Sequence, residues 1–321
     1  MNSSLLYRLA CRAGWRWPLL FVWLLASPGQ GRAQPAPAGK LRVLIRPRPP
    51  VPAAAAPLVI GHAGSGFLTL FRPFNPLPPS SGRSIRRALA HGADGVEVDV
   101  RLSQDSIPVL YHDPRLESMT TGTGCVSQLS AAALTQLAYQ VRWPYNWFQH
   151  ERPQTFESLL AYLRESPVYP YLHLDLHEDD PCAPNDLARR RALARRLVAL
   201  LARYQAPPER VTIITGSPAT LRYLHQLLPA VGLGLEVGND YAASVAELHQ
   251  LPEVGSVVLH KDDITPERTA ELHALGREVV VFGGRSARAV GRVVAAQPDA
   301  YEVDNLRQLR TTLRRRRKMA N

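Results

Sequence analysis

The chain has 321 residues, of which 45% are hydrophobic and 20% are charged, and it contains three cysteines. With so few cysteines, we expect neither a disulfide-built scaffold nor a thiolate metal site. The formal net charge is +11, but four arginines precede residue 35 and residues 314–318 add five basic side chains, so only +2 remains for the rest of the chain. A body this close to neutral argues against a nucleic acid as partner.

The first 34 residues have the order of a secretory signal peptide. Arg8, Arg12 and Arg16 precede an apolar run over residues 18–26, and small residues follow up to Gln34,. The apolar run is too short to span a bilayer comfortably, although an uncleaved N-terminal anchor is the alternative. We therefore predict a periplasmic or extracellular protein. In such an oxidising compartment the two later cysteines, Cys125 and Cys182, could form a disulfide.

Residues 35–56 are rich in proline and alanine and are predicted to form a linker,. From residue 57 to residue 313, short apolar runs alternate with helical stretches such as 187–204 and 266–275,. The predicted strands are residues 58–60, 95–100, 171–176, 211–214, 231–237, 256–259, 278–282 and 300–304. Eight strands with helices between them predict an α/β fold, a single-domain (β/α)8 TIM barrel. The alternative, an open doubly wound sheet, lacks a glycine-rich phosphate loop after its first strand.

Acidic side chains lie on the second and third of these strands. Glu97 and Asp99 are two residues apart, so both side chains leave the same face of their strand, and Asp175 lies on the next strand along the chain,. Buried acids must be paired or bound to a cation, and pairing with arginines such as Arg101 is the structural alternative. Three carboxylates near the carboxyl ends of barrel strands predict one divalent cation site. Oxygen ligands favour magnesium or calcium over zinc, which His173 and His177 on the third strand keep as a lesser alternative.

Two further histidines end extended segments on the predicted catalytic side. His62 closes the first strand, and His112 follows the short extended run at residues 108–111. Hydrolysis of a phosphodiester needs a base for the attacking oxygen and an acid for the leaving alkoxide, and imidazoles can serve as both near neutral pH. His173 lies deeper along its strand and is predicted to be a satisfied core histidine.

These motifs together resemble the glycerophosphodiester phosphodiesterase family. The resemblance spans about residues 57–313 and is densest over residues 92–124. Its motifs are GADGVEVDV at residues 92–100, YHDP at 111–114, MTTGTG at 119–124, TFESLL at 155–160 and VDN at 303–305. The resemblance implies acid/base roles for His62 and His112, and metal-binding roles for Glu97, Asp99 and Asp175. It also implies a small-molecule phosphodiester as substrate.

Three positions depart from the family pattern. The arginine that follows the first histidine in the family is Ala63 here, and the later Glu-x-Lys is Asp175-Leu176-His177. The family's Pro-Glu-Asn-Thr segment is replaced by residues 78–81 (PPSS). Loss of an arginine removes a fork-shaped phosphate donor, so we expect His177 to contribute to substrate binding. Arg72, Arg83 and Arg101 could supply the missing charge, but each is expected to be an ordinary solvated arginine.

The leading hypothesis is metal-dependent hydrolysis of glycerophosphodiesters to an alcohol and glycerol phosphate. One alternative is a phospholipase-like phosphodiesterase that acts on lipid head groups, with transient membrane contact through the apolar loop at residues 67–74 and the basic tail at residues 314–321,. Another is a non-catalytic binding protein on a decayed barrel. The sequence does not predict an oligomeric state.

We predict that the exported chain begins near Gln34 or Pro35, where the signal pattern ends. N-terminal sequencing of protein recovered from outside the cytoplasm should find this start. Recovery of a chain that still begins at Met1 would contradict cleavage.

Overall fold

The computed structural model describes residues 56–70, 74–140, 143–184 and 186–320. The predicted signal peptide and almost all of the predicted linker lie outside these residues. The strands that the described residues form are β1 (Leu58–Gly61), β2 (Gly95–Leu102), β3 (Pro108–Leu110), β4 (Gln154–Thr155), β5 (Tyr171–Leu176), β6 (Val211–Thr215), β7 (Gly232–Glu236), β8 (Ser256–His260), β9 (Glu278–Phe282) and β10 (Ala300–Val303). The helices are α1 (Gly82–Ala90), α2 (Ala131–Leu134), α3 (Phe156–Arg164), α4 (Leu187–Arg203), α5 (Pro218–Leu227), α6 (Tyr241–Leu248), α7 (Pro266–Ala274), α8 (Ala287–Ala295) and α9 (Leu306–Ala320).

Eight of the strands form a closed parallel barrel, as predicted. The order around it is β1, β10, β9, β8, β7, β6, β5 and β2, and pairing of β1 with β2 completes the closure. These are the eight strands expected from the sequence, with ends that differ by a few residues. Strands β3 and β4 extend the sheet by antiparallel pairing outside the barrel. The chain therefore folds as a (β/α)8 TIM barrel with one excursion after β2.

Successive side chains of a barrel strand point alternately outward to the helices and inward to the barrel interior, so the protein has two apolar regions. Val96, Val98 and Val100 point outward from β2 and are fully buried in the main core, between the strands and the helices. A smaller apolar layer fills the interior of the barrel, and it consists of Ile214, Val258, Val280 and Ala300, with Leu58 and Phe282 against them. This small layer does not reach the mouth of the barrel, which polar side chains line.

The helices between the strands begin at polar caps. The side chains that accept a backbone hydrogen bond at helix starts are those of Ser130, Thr155, Asp186, Ser217, Asp240, Thr265 and Ser286. Each cap satisfies an amide that has no partner within the helix. Five of these caps, at α4 to α8, mark where a helix begins after a barrel strand.

The excursion between β2 and α3 has its own small core. Its members are Val109, Tyr111, Leu116, Val126, Ala131, Leu134 and Tyr139. A disulfide joins Cys125 in this excursion to Cys182 after β5, with Cα atoms 6.2 Å apart. The pairing that the sequence allowed is thus formed, and it links the segment that follows His112 to the segment that follows His177.

The basic residues 314–318 continue helix α9 and do not form a separate tail. Arg310 lies 3.7 Å from Asp94, which directly precedes β2, so this part of α9 is at the amino ends of the strands. Arg316 donates to the carbonyl of Val294 near the end of α8, which is at the same end of the barrel. None of the helices in the described residues is long and apolar enough to cross a bilayer.

Candidate active site

All six residues predicted for the site meet at the carboxyl ends of the barrel strands. His62 comes directly after β1, where Gly61 allows a close turn, because a Cβ atom on Gly61 would lie 2.1 Å from the carbonyl oxygen of Gly64. The next residue, Ala63, has φ of 43° and is fully buried. Its amide donates to Glu97 Oε2 over 2.6 Å, so the turn that carries His62 is fixed directly to a carboxylate of β2.

Each of the two predicted catalytic histidines is paired with an aspartate through Nδ1. His62 Nδ1 lies 2.9 Å from Asp304 Oδ1 at the end of β10, and His112 Nδ1 lies 2.6 Å from Asp113 Oδ1. A carboxylate at Nδ1 favours the tautomer with the proton on that nitrogen and leaves Nε2 available for proton transfer. The Phe67 ring contacts both imidazoles, with centroids 5.1 Å from that of His62 and 5.3 Å from that of His112.

Burial opposes the protonation of His62, but its pKa is nevertheless raised. The hydrogen bond and the negative charge of Asp304 oppose the burial effect, and the carboxylates of Glu302 and Asp99 add to this. A histidine with a raised pKa holds its proton more readily near neutral pH. The environment therefore suits His62 to donate a proton as well as to accept one.

The three predicted metal ligands converge on one point. Glu97, Asp99 and Asp175 can each offer an oxygen atom such that all three atoms lie within 4.8 Å of one another. Glu97 and Asp99 are each 3% exposed, and Asp99 Oδ2 accepts a hydrogen bond from Ser80 over 2.8 Å. The parallel register sets Asp99 directly beside Asp175. Barrel closure and strand register thus produce the arrangement that the two-residue spacing predicts.

Burial and mutual repulsion disfavour the charged forms of Glu97 and Asp175. Burial raises the pKa of Glu97 well above its usual range, and the charges of Asp99, Glu302 and Asp175 add to this. Burial also raises the pKa of Asp175 to about 7, with contributions from Glu236, Asp99 and Glu302. Carboxylates with raised pKa values resist ionisation, and a cation at this point would stabilise their charged forms.

Asp99 shows the opposite shift because it has cationic neighbours. Burial alone would raise its pKa, but the hydrogen bond and charge of His177, with smaller effects of His112 and Ser80, lower it. His177 Nε2 lies 3.0 Å from Asp99 Oδ1 and 3.4 Å from Asp175 Oδ2. Burial would lower the pKa of His177, yet these two carboxylates raise it to about 9. His177 therefore supplies positive charge beside the carboxylate cluster.

A divalent cation fits this donor set. Glu97 Oε1 is buried and has no hydrogen-bond partner, whereas Oε2 of the same carboxylate is satisfied by the Ala63 amide. A buried oxygen without a partner is costly unless an ion binds it. A second set, Asp99, His112 and His177, also lies within 4.8 Å and contains the nitrogen ligands that zinc accepts,. The oxygen set matches a hard cation such as magnesium or calcium.

Sequence comparison assigns the chain to a family. The model of the "Glycerophosphoryl diester phosphodiesterase family" matches residues 77–308. The chain belongs to this family. Human glycerophosphodiester phosphodiesterase 1 is 30% identical over 104 residues, which cover 32% of this chain and 27% of the relative. Human glycerophosphocholine phosphodiesterase is 44% identical over 57 residues, which cover 18% of this chain and 8% of the relative. The matched segments therefore span less than a third of these curated relatives.

Solved structures of low sequence identity share the fold. A phosphodiesterase of Oleispira antarctica, solved with the product sn-glycerol-3-phosphate, has a TM-score of 0.65 at 22% identity, covering 80% of this chain and 97% of that one. A glycerophosphodiester phosphodiesterase of Agrobacterium tumefaciens has a TM-score of 0.61 at 18% identity, covering 80% of this chain and all of that one. These likenesses support the TIM barrel of this family member.

Among the arginines considered as substitutes for the family arginine, Arg101 has a different role from the one expected. The prediction of an ordinary solvated side chain is wrong for it, because Arg101 is only 5% exposed. Its Nε donates to the carbonyl of His112 over 2.7 Å, and its Nη1 donates to the carbonyls of His177 and Asp179 over 3.3 and 2.6 Å. Nη2 donates to Asp179 Oδ1 over 3.0 Å. Arg101 thus holds the loops of two site histidines in fixed positions.

The other arginines lie elsewhere. Arg83 is half exposed and donates to the carbonyl of Phe148 at the edge of the site, and Arg72 is outside the described residues. An arginine that the sequence did not single out, Arg285 after β9, lies 3.8 Å from Asp304 Oδ2 and donates to the carbonyl of Phe67. Among the ion pairs of the described residues, Arg285 is the arginine that approaches Asp304, the aspartate paired with His62.

Sequence reasoning also missed several supporting residues. Glu302 on β10 and Asp304 directly after it reach the site because β10 pairs with β1, and Ser80 reaches Asp99 from the loop before α1. The position of Asp304 at the carboxyl end of the last predicted strand could have indicated that it belongs to the site. His173, predicted to be a satisfied core histidine, is 4% exposed and lies 2.5 Å from Glu302 Oε1, which confirms that prediction.

Replacement of Arg101 by lysine should lower kcat, because one ammonium group cannot bind the His112, His177 and Asp179 segments together. Supporting interactions of this kind are worth about 10–100-fold in activity. The matched control is Arg189→Lys, since Arg189 also holds carbonyls, those of Leu102 and Ser103, without contact to a site histidine. Kinetics and thermal unfolding should be measured on both variants. Equal kcat values for the two at equal stability would contradict a positioning role for Arg101.

Proposed function

We propose that the protein is a phosphoric diester hydrolase that cleaves glycerophosphodiesters to an alcohol and glycerol phosphate. The observation that carries this proposal is the convergence of Glu97, Asp99 and Asp175 beside His62 and His112, each with an aspartate at Nδ1. Carboxylates for a cation and two imidazoles for proton transfer are the groups that this hydrolysis requires. Membership in the family, and the product bound to the Oleispira antarctica phosphodiesterase, support the same substrate class.

We propose that Glu97, Asp99 and Asp175 hold one divalent cation, magnesium or calcium in preference to zinc. The buried and unpartnered Oε1 of Glu97 supports this assignment. A cation held there would supply positive charge that offsets the negative charge on the non-bridging oxygens of the phosphate. His177, close to the same carboxylates and with its ring centroid 4.7 Å from that of His112, is proposed to bind the substrate phosphate in place of the family lysine.

The two histidines divide the proton transfers between them. One imidazole takes a proton from the attacking oxygen through Nε2, and the other gives a proton to the oxygen of the leaving alcohol. Asp304 and Asp113 hold the two rings in orientation and stabilise the imidazolium form. Phe67, which contacts both rings, excludes water from one side of each and fixes the space between them.

We also propose that the protein functions after export. The Cys125–Cys182 disulfide supports this location, because such bonds persist in oxidising compartments and are rare in the cytosol,. The pattern of the first 34 residues favours the same location.

The proposed reaction can be tested with the full chain on a panel of soluble glycerophosphodiesters, with identification of the phosphate-containing product. We expect glycerol phosphate to form with magnesium or calcium, and activity to be lost on chelation. Asp99→Asn should abolish turnover, whereas Asp263→Asn, an exposed acid after β8 on the same face, should not. Full activity of a chelated enzyme would contradict the metal assignment. A folded and metal-supplied protein without turnover on any substrate would support a non-catalytic binding protein.

His112→Ala and His62→Ala should each lower kcat by about 10²–10⁴-fold, the usual contribution of a general acid or base. His177→Ala should mainly raise KM, because its proposed role is to bind the phosphate. A phosphodiester with an activated aryl leaving group needs little protonation and should rescue whichever variant lacks the acid. Two histidines that only pack in the structure would give variants of lower stability and normal turnover per folded molecule, and that result would contradict the mechanism.

A further inference from the structure

Exposed aromatic side chains form a cluster that the proposed reaction does not use. Trp143 and Trp147 are each 72% exposed and Phe148 is 51% exposed, among few large apolar side chains this accessible in the described residues. The Trp143 and Trp147 rings are in contact at 5.9 Å, and Phe74 contacts both Tyr145 and Phe148, at 6.1 and 5.2 Å. We call these five residues the aromatic rim.

The aromatic rim lies on the same face of the barrel as the active site. Phe74 ends the loop that begins near Phe67, whose ring contacts both catalytic histidines, and a backbone pairing between Thr69 and Asn75 closes this loop. Arg83, in the first turn of α1, donates to the carbonyl of Phe148 over 3.3 Å. Helix α1 begins at the carboxyl ends of the strands, because it follows β1 in the barrel. The rim therefore borders the mouth through which substrate enters.

The charges beside the rim are basic at the surface. Arg83 and Arg86 are exposed on α1, and Arg83 forms an ion pair over 3.9 Å with Glu151, whose side chain is only 14% exposed. Tryptophan and tyrosine combine an apolar ring with a polar N–H or O–H group, and are enriched where proteins meet the membrane–water interface. Arginines beside such rings attract the phosphates of anionic lipids.

A lipid surface fits the rim better than a second copy of the chain. In a two-fold dimer the same patch meets itself, so the arginines Arg83 and Arg86 of both copies would lie within one interface. Such like charges repel at close range. A lipid surface offers phosphates to the arginines and an interfacial region to the indoles, so both parts of the patch are satisfied together.

We propose that the aromatic rim docks the active-site face on a lipid surface that contains anionic phospholipid. This contact goes beyond the proposed hydrolysis and does not depend on it. The basic residues 314–318 have no part in it, because α9 carries them to the amino ends of the strands, at the opposite end of the barrel.

The test is co-sedimentation of the full chain with vesicles of phosphatidylcholine and phosphatidylglycerol in equal parts, compared with phosphatidylcholine alone. We expect binding to the mixed vesicles, and weakening by about tenfold or more in the Trp143→Ala, Trp147→Ala double variant, because two apolar rings no longer leave water. Arg83→Gln with Arg86→Gln should reduce the preference for the anionic vesicles. The matched control is Val168→Ala, an apolar residue 67% exposed between α3 and β5 on the opposite face, which should bind as the wild type does.

Fluorescence provides an independent measurement. A Trp143→Phe, Trp147→Phe double variant keeps the aromatic character, and its difference spectrum from the wild type reports on the rim indoles alone. This difference should shift to shorter wavelength with mixed vesicles, and turnover of a soluble substrate should be the same for all rim variants. The proposal is overturned if the Trp→Ala variant binds vesicles as tightly as the wild type. It is also overturned if the rim proves to close a dimer in sedimentation velocity that the same substitutions dissociate.

Discussion

The site depends on one electrostatic constraint: several carboxylates lie close together in the poorly hydrated mouth of the barrel. Glu97 and Asp99 are nearly inaccessible to solvent, and Glu302 on β10 is 2% exposed. Buried carboxylates of like charge must be protonated, paired or neutralised by a cation. The fold compensates several of them, because Glu97 accepts from the Ala63 amide, Asp99 pairs with His177, and Glu302 pairs with His173. The remaining oxygen of Glu97 is buried and has no hydrogen-bond partner.

The same interactions position the histidines. Glu97 fixes the turn that carries His62, and Asp304 orients its ring, so this histidine is tied to both β2 and β10. Arg101 extends from the strand of Glu97 and Asp99 to the carbonyls of His112 and His177, and the disulfide links the segments that follow these two residues. Three strands and two loops are therefore coupled, and this coupling fixes the positions of His62, His112 and His177 relative to the carboxylates.

Much of this arrangement could be predicted from the sequence because it depends on local pattern. Alternation along β2 and β5 indicates which side chains face inward, and the eight apolar runs between helices indicate a barrel. The partners that depend on closure could not be predicted, since Asp304 and His62 are 242 positions apart and meet only when β10 pairs with β1. Arg101 was misjudged because arginines are usually exposed, and only the structure shows the four oxygen atoms that it binds. The aromatic rim could not be predicted from the sequence either, because Phe74 comes from one loop and Trp147 from another.

In the proposed site Glu97, Asp99 and Asp175 hold the cation, and His62 and His112 act beside it. The most direct measurement is diffraction from crystals soaked in manganese, an anomalous scatterer that accepts the same oxygen ligands as magnesium. We expect one anomalous peak within bonding distance of all three carboxylates, with His62 and His112 outside the coordination sphere. A peak bound instead by Asp99, His112 and His177 would contradict it, because a histidine that binds metal through its free nitrogen cannot also transfer the proton.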